Sequence, residues 1–154
     1  MDIANTNKLS GIRTPYYYYD TNLLRDTLKS INDEVSKYDG YFVHYAIKAN
    51  ANLKLLKIIK DAGFGIDCVS GGEIERALEA GFSSEKIVFA GVGKSDWEIE
   101  LAVDNNIFCF NVESIPELEV INEISAKKGK VSNICFRINP NVGAEYVVVH
   151  CEFN

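Results

Sequence analysis

The sequence predicts an α/β fold with a parallel sheet, in the form of a partial (β/α)8 TIM-type barrel. Apolar runs begin near residues 41, 64, 87, 107 and 134, spaced 20 to 27 residues apart. Between them lie stretches in which apolar residues follow the 3.6-residue period of an amphipathic helix. Strands and helices that alternate in this way are typical of β-α-β units, whose sheets are parallel and buried on both faces.

The first predicted elements precede this repeat. Residues Tyr16–Tyr19 are expected to form an early strand with one aromatic face in the core. Asp20 or Thr21 can then cap a helix that continues through Val35, because its apolar positions follow a helical period. The first strand of the repeat lies in the apolar run 41–47, which is rich in β-branched and aromatic residues.

Serine and glutamate mark the starts of the later helices. Ser70, Ser95 and Ser114 are each followed three residues later by glutamate, which is the pattern of the capping box. Gly63 and Gly81 are expected to end helices, because glycine readily adopts the left-handed conformation found there. Each predicted helix therefore begins and ends where the strand spacing requires it.

Two architectures accommodate five such units, an open doubly wound sheet and part of a closed barrel. A doubly wound dinucleotide-binding fold normally carries G-x-G-x-x-G after its first strand, where this chain has residues 48–52, Lys-Ala-Asn-Ala-Asn. The barrel is therefore favoured. Because a whole barrel needs about 250 residues, this chain is expected to stop after about the fifth barrel strand.

Composition and charge exclude several classes of protein. A net charge of -6 and a pI near 4.9 argue against nucleic acid or an anionic membrane as a partner. The chain has neither a signal-type apolar segment nor an apolar stretch of membrane-spanning length, so we expect a cytoplasmic protein. No spacing of potential ligands suggests a metal site. The four cysteines are widely separated and are expected to be reduced core thiols: Cys68, Cys109, Cys135 and Cys151.

Lys48 is the candidate catalytic residue. It follows the apolar run 41–47, and the C-terminal ends of the strands form the active-site face of a βα barrel. Burial of the ammonium would favour the neutral amine, a nucleophile that can form a Schiff base with an aldehyde. The alternative is a lysine whose stem covers the strand end while its ammonium reaches water.

Asp67 and Arg137 are predicted at two further strand ends. Asp67 closes the run 64–67, and Arg137 is flanked by apolar residues. Because buried arginines are seldom unpaired, we expect an Asp67–Arg137 ion pair beside Lys48. Taken alone, Asp67 is more typical of a loop carboxylate or a helix-entry residue.

Two glycine-rich turns are weaker candidates for phosphate binding. Gly71 and Gly72 are expected to permit close backbone packing rather than to bind a phosphate. The segment 91–94, Gly-Val-Gly-Lys, lacks the full frame of a phosphate-binding loop. His44 is expected to be a satisfied interior residue.

Four segments, in order and at plausible spacing, resemble one enzyme family. They are Thr-Pro at 14–15 with the tyrosines that follow, Tyr-Ala-Ile-Lys-Ala-Asn at 45–50, residues 65–73, and Arg-Ile-Asn-Pro at 137–140. From about Thr14 to Ala144 the chain resembles the N-terminal part of the diaminopimelate decarboxylases. These enzymes belong to the barrel-type pyridoxal-phosphate decarboxylases, as do ornithine and arginine decarboxylases. Residues 89–95 and 111–114 also resemble the diaminopimelate branch more than the ornithine branch.

The resemblance implies a cofactor, a reaction and roles for three residues. Lys48 matches the lysine that holds pyridoxal 5'-phosphate as a Schiff base, and Asp67 and Arg137 match residues around the cofactor. The implied reaction is decarboxylation of meso-2,6-diaminopimelate to L-lysine and CO2, a step of lysine biosynthesis. The implied partners are this amino-acid substrate and a second copy of the chain, because the full-length family forms homodimers with shared active sites.

The resemblance also implies a fragment. Residues 1–144 would form the N-terminal part of an alanine-racemase-like pyridoxal-phosphate barrel, followed by a divergent tail at 145–154. The remaining strands and the family's C-terminal β domain would be absent, as in a truncated or frameshifted gene product. Unpaired sheet edges should then make the chain poorly soluble or oligomeric.

Three functional classes remain open for such a chain. The first is a decarboxylase that is incomplete for catalysis, acting on diaminopimelate or on an ornithine-, arginine- or carboxynorspermidine-type substrate. The second is a non-catalytic barrel protein that binds pyridoxal phosphate. The third is an α/β fragment that binds nothing.

Overall fold

The computed structural model describes residues 11–138, which contain one parallel sheet and five α-helices. The strands are β1 (His44–Ala46), β2 (Gly65–Cys68), β3 (Ile87–Phe89), β4 (Cys109–Val112) and β5 (Ile134–Phe136). The helices are α1 (Thr21–Val35), α2 (Leu53–Asp61), α3 (Gly71–Glu79), α4 (Asp96–Asp104) and α5 (Ile115–Lys127). Two short 3-10 turns occupy Ile47–Ala49 and Ser84–Lys86.

The order of the strands follows the order of the chain. The sheet runs β1-β2-β3-β4-β5, and every neighbouring pair is parallel. A doubly wound sheet reverses its strand order at a switch point, whereas the wall of a βα barrel does not. Within the described residues the prediction of a barrel-type parallel fold is therefore confirmed.

The apolar core lies between the sheet and its helices. Each helix contacts the next along the chain, as expected when successive right-handed crossovers return to the same face of a sheet. Ile66, Cys68 and Phe89 are fully buried in this core. Because side chains alternate along a strand, Asp67 and Val88 face the opposite side, where they line an open cleft of about 530 Å³.

The predicted helix starts are confirmed. Asp20 Oδ1 accepts hydrogen bonds from the backbone N–H groups of the first turn of α1, at 3.0 and 3.1 Å. Ser70 and Ser114 each accept one from the N–H three residues later, at 3.3 Å. Glu98 Oε2 accepts from the N–H and hydroxyl of Ser95, at 2.9 and 2.7 Å.

Glycines occupy the expected turns. Gly63 and Gly81 follow helices with φ of 90° and 89°, as predicted for helix-ending glycines. A Cβ on Gly71 would lie 2.5 Å from the ring of Trp97, so the predicted close packing is confirmed there. A Cβ on Gly72 would meet nothing within 4 Å, so packing does not explain this second glycine.

The prediction of an early tyrosine strand is wrong. Residues 16–19 form no strand, and their side chains are 39% to 89% exposed. A β-propensity is realised only when a neighbouring strand offers its backbone, and no strand of the described region pairs with this segment.

The buried cysteines agree with the sequence, since Cys68, Cys109 and Cys135 all lie in the core. Cys151 and the predicted boundary and tail around residues 144–154 lie outside the described residues. Between residues 11 and 138 no helix is both long and apolar enough to cross a membrane. The same region contains no group of three potential metal ligands.

Candidate functional site

Lys48 lies at the carboxyl edge of the sheet, two residues after β1 ends. The strand was expected to continue to Lys48, and this expectation is wrong; of the two alternatives for its ammonium, burial and contact with water, the structure shows the second. The chain turns after Ala46, and the N–H of Asn50 donates to the carbonyl of Ile47 at 3.0 Å to close the turn. Lys48 is consequently exposed, with its amine at the open end of the sheet.

Asn50, which was not predicted as a site residue, holds this turn in place. Its Nδ2 donates to Tyr19 Oη at 3.0 Å, and its carbonyl accepts from Tyr45 Oη at 3.3 Å. Its Oδ1 accepts from the N–H of Asn52 at 3.0 Å. Burial raises the pKa of Tyr45, so its hydroxyl keeps the proton that it donates. The position of Lys48 is therefore fixed by polar side chains on both sides of it.

Asp67 is the second predicted residue at this edge. Its carboxylate is half-buried, and Oδ1 is a fully buried atom with no hydrogen-bond partner among the described residues. Burial raises the pKa of Asp67; the nearby ammonium of Lys48 opposes this rise and Glu73 adds to it. Because a buried polar oxygen is normally satisfied, Asp67 has an unused acceptor beside Lys48.

Arg137 pairs with Glu113 and not with Asp67. Its Nη1 lies 3.2 and 3.3 Å from the two carboxylate oxygens of Glu113, whose side chain is 10% exposed. The predicted Asp67–Arg137 pair is wrong because β2 and β5 are three strand spacings apart, about 14 Å at the usual spacing. Glu113 follows β4, the direct neighbour of β5, and is therefore within reach.

The three predicted residues nevertheless line one cavity of about 250 Å³ at the carboxyl edge. Parallel strands all end at the same edge, so a side chain of β2 meets side chains that follow β1 and β5 there. Together they offer a primary amine, an unsatisfied carboxylate oxygen and a guanidinium. The cavity is lined by Lys48, Asp67, Val69, Ala90, Gly91, Asn111, Glu113 and Arg137.

The loop at Gly91–Lys94 is not a free phosphate-binding loop. Lys94 Nζ donates to the carbonyls of Gly91 and Asn111 at 2.8 and 2.9 Å and to Glu117 Oε1 at 2.7 Å. These contacts use all three ammonium protons. Neither this buried pair nor Glu113 was predicted as part of the site; the only local signal was the position of each glutamate at the entry to α5.

A second cavity, of about 270 Å³, lies at the amino edge of the sheet, and none of the three predicted residues lines it. His44 does line it; its ring stacks on Phe108 with the centroids 6.2 Å apart. Burial, with a contribution from Lys86, lowers the pKa of His44. The half-buried His44 therefore packs as a neutral ring; it does not line the candidate cavity but borders the open cleft that Asp67 also lines.

Comparison with known families identifies the domain. Residues 24–151 match the pyridoxal binding domain of the pyridoxal-dependent decarboxylases. The chain is 64% identical over 138 residues to a diaminopimelate decarboxylase of Bacteroides thetaiotaomicron, a match that covers 90% of this chain and 36% of that protein.

Solved structures agree with this match. Diaminopimelate decarboxylase from Helicobacter pylori, complexed with L-lysine, superposes with a TM-score of 0.80 at 41% identity, over 92% of this chain and 36% of that one. An arginine decarboxylase of Paramecium bursaria Chlorella virus, bound to agmatine, gives 0.63 at 25% identity, over 77% of this chain and 32% of that one. The chain thus spans about a third of the length of the relatives that it matches.

Proposed function

Since this chain belongs to the pyridoxal-dependent decarboxylases, we propose that it forms part of the cofactor-binding barrel of a diaminopimelate decarboxylase. The whole protein would convert meso-2,6-diaminopimelate to L-lysine and CO2. The observation that carries the proposal is the convergence of Lys48, Asp67 and Arg137 on one cavity at the carboxyl edge of the sheet. We propose residues 1–144 as the extent of this barrel portion.

The residues of the cavity fit pyridoxal phosphate. Lys48 supplies the primary amine that would hold the aldehyde of the cofactor covalently. Asp67 Oδ1, buried and without a partner among the described residues, can accept a hydrogen bond from a bound ligand. Arg137 is a cation, and its side-chain hydrogen bonds to the described residues use only Nη1. Its other N–H groups can therefore donate to an anionic group. When bound, the cofactor would accept the electron pair that the departing CO2 leaves on the substrate.

The substrate is proposed from similarity. The sequence of this chain is 64% identical to that of a diaminopimelate decarboxylase and 25% identical to that of an arginine decarboxylase, although it shares its fold with both. This difference favours diaminopimelate over the ornithine-, arginine- and carboxynorspermidine-type alternatives. The amino acid L-lysine, the expected product, is bound in the Helicobacter pylori structure. The homodimer with shared sites and the cytoplasmic location that the resemblance implies belong to the same proposal.

A chimeric enzyme tests the proposal. Residues 11–138 of this chain would replace the aligned segment of the Bacteroides thetaiotaomicron enzyme, and release of CO2 would be measured with meso-diaminopimelate, L-ornithine and L-arginine. We expect diaminopimelate to be preferred by at least about tenfold in kcat/KM, which corresponds to roughly 1.4 kcal/mol.

Two lysine variants make the test specific for Lys48. The chimera with Lys48→Ala should lose decarboxylation, while the chimera with Lys57→Ala, an exposed lysine on α2 outside the cavity, should keep it. A folded chimera that prefers ornithine or arginine would overturn the proposed substrate. Full activity of the Lys48→Ala chimera would overturn the role of Lys48.

A further inference from the structure

The most deeply buried charge pair in the described residues lies directly behind the wall of the candidate site. The side chains of Lys94 and Glu117 are 1% and 9% exposed, and their charged atoms are 2.7 Å apart. Lys94 Nζ also lies 5.3 Å from the centroid of the Phe89 ring. Neither residue lines the cavity. Burying two charges is costly unless both are fully hydrogen-bonded, so the contacts of this pair indicate what it does.

The two other hydrogen bonds of Lys94 Nζ go to backbone carbonyls of the cavity wall. The carbonyls of Gly91 and Asn111 accept two of its protons, at 2.8 and 2.9 Å, and both residues line the cavity. Gly91 has φ of 93°, and a Cβ there would lie 3.3 Å from Val69. Lys94 thus ties the tight turn after β3 to the end of β4.

Glu117 connects Lys94 to Glu113, the residue that pairs with Arg137. Glu117 Oε1 also accepts from the N–H of Glu113 at 3.3 Å, which fixes the backbone at that residue. The carboxylate of Glu113 in turn accepts from the N–H of Gly91 at 3.3 Å and pairs with Arg137. The chain of contacts therefore runs from Lys94 through Glu117 and Glu113 to the guanidinium in the cavity.

We propose that Lys94 and Glu117 are positioning residues that set the cavity wall formed by Gly91, Asn111, Glu113 and Arg137, and thereby the affinity of this wall for pyridoxal phosphate. The inference deepens the proposed function and rests on it for the identity of the ligand. The two residues act through their neighbours and need not touch the cofactor. A merely structural pair would stabilise the fold without affecting the wall.

The test uses a variant that keeps the interior neutral. Lys94→Met alone would leave a buried, unpaired carboxylate and could prevent folding. The double variant Lys94→Met/Glu117→Leu removes both charges and keeps apolar bulk, so it is expected to fold. The matched control is Lys127→Met/Glu123→Leu, the same exchange at an exposed ion pair on the far part of α5.

Two readouts separate the inference from the proposed function. In the 154-residue chain without cofactor, amide hydrogen exchange at Gly91 and Glu113 should be about tenfold faster in the Lys94/Glu117 variant and unchanged in the control. In an absorbance titration with pyridoxal phosphate, the apparent Kd should rise about tenfold in the variant and stay constant in the control.

The possible outcomes are distinguishable. Unchanged exchange at Gly91 and Glu113 in a folded variant would overturn the positioning role whether or not the cofactor binds. Faster exchange with an unchanged Kd would overturn the link between the wall and cofactor affinity. Failure of the unmodified chain to bind pyridoxal phosphate would count against the proposed function, while the exchange result would still decide whether the pair positions the wall.

Discussion

Asp67→Asn should stabilise the cofactor-free chain at neutral pH. The wild-type carboxylate has a buried Oδ1 without a hydrogen-bond partner in the described region, and burial raises its pKa, with Lys48 opposing and Glu73 adding to the rise. An amide has nearly the same shape and carries no charge. The substitution therefore removes the cost of holding an anion in this position.

The expected gain can be estimated from these contacts. An unsatisfied buried polar group costs roughly 1–3 kcal/mol, and more when it is charged. Asp67 is only half-buried and is attracted by Lys48, both of which reduce the cost. We therefore expect a gain of about 1 kcal/mol in the free energy of unfolding, which is roughly 3 °C in Tm for a chain of this size.

The pH dependence of the free energy of unfolding should show in which direction the Asp67 carboxylate affects stability. Because the folded pKa of Asp67 lies above its ordinary value of 3.8, the folded chain binds more protons than the unfolded chain between those two values. The contribution of Asp67 to stability is therefore fully present below pH 3.8 and is lost as the pH rises through the folded pKa. The advantage of the asparagine variant should appear over the same interval and stay constant above it.

Urea denaturation as a function of pH measures this difference. Asp26→Asn, at an exposed position on α1, is the control and should change stability by no more than about 0.5 kcal/mol. The reasoning is refuted if Asp67→Asn is less stable than the wild type at neutral pH, or if its advantage does not shrink as the pH falls toward 3.8.

Two further predictions concern the frame around the site. Gly71→Ala should lower the free energy of unfolding, measured by urea denaturation, by about 1–3 kcal/mol, because its Cβ would lie 2.5 Å from the Trp97 ring. Gly72→Ala should be neutral or slightly stabilising, because the space there is open. Equal effects of the two substitutions would contradict the close packing at Gly71. His44→Gln should reduce the loss of stability on acidification, because the lowered pKa of His44 means that the unfolded chain binds more protons as the pH falls through 6.5. The free energy of unfolding would be measured between about pH 5 and pH 7. If it depends on pH in this variant as it does in the wild type, the lowered pKa of His44 is contradicted.

The sequence predicted those parts of the fold that depend on local patterns. The five strands and the capped helices follow from apolar period and from serine–glutamate spacing, which act within a few residues. The tyrosine segment shows the limit of such patterns, because Tyr16–Tyr19 have high strand propensity but no strand beside them in the described region. Propensity cannot supply the missing backbone partner.

The three residues predicted for the site line one cavity, but their contacts were not predicted. Lys48, Asp67 and Arg137 reach one cavity because parallel strands share a carboxyl edge. The partner of Arg137 depends on strand order, which places Glu113 beside it and Asp67 three strands away. The pair of Lys94 and Glu117 depends on how the turn after β3 meets α5, which no local pattern encodes.

The covalent state of Lys48 tests the central claim most directly. The 154-residue chain would be incubated with pyridoxal phosphate, reduced with borohydride and mapped by mass spectrometry of its peptides. We predict one pyridoxyl adduct per chain, on the peptide that contains Lys48, and its loss in Lys48→Ala but not in Lys57→Ala. A folded chain without this adduct, or with label spread evenly over exposed lysines such as Lys54 and Lys57, would contradict the assignment of Lys48 as the residue that holds the cofactor.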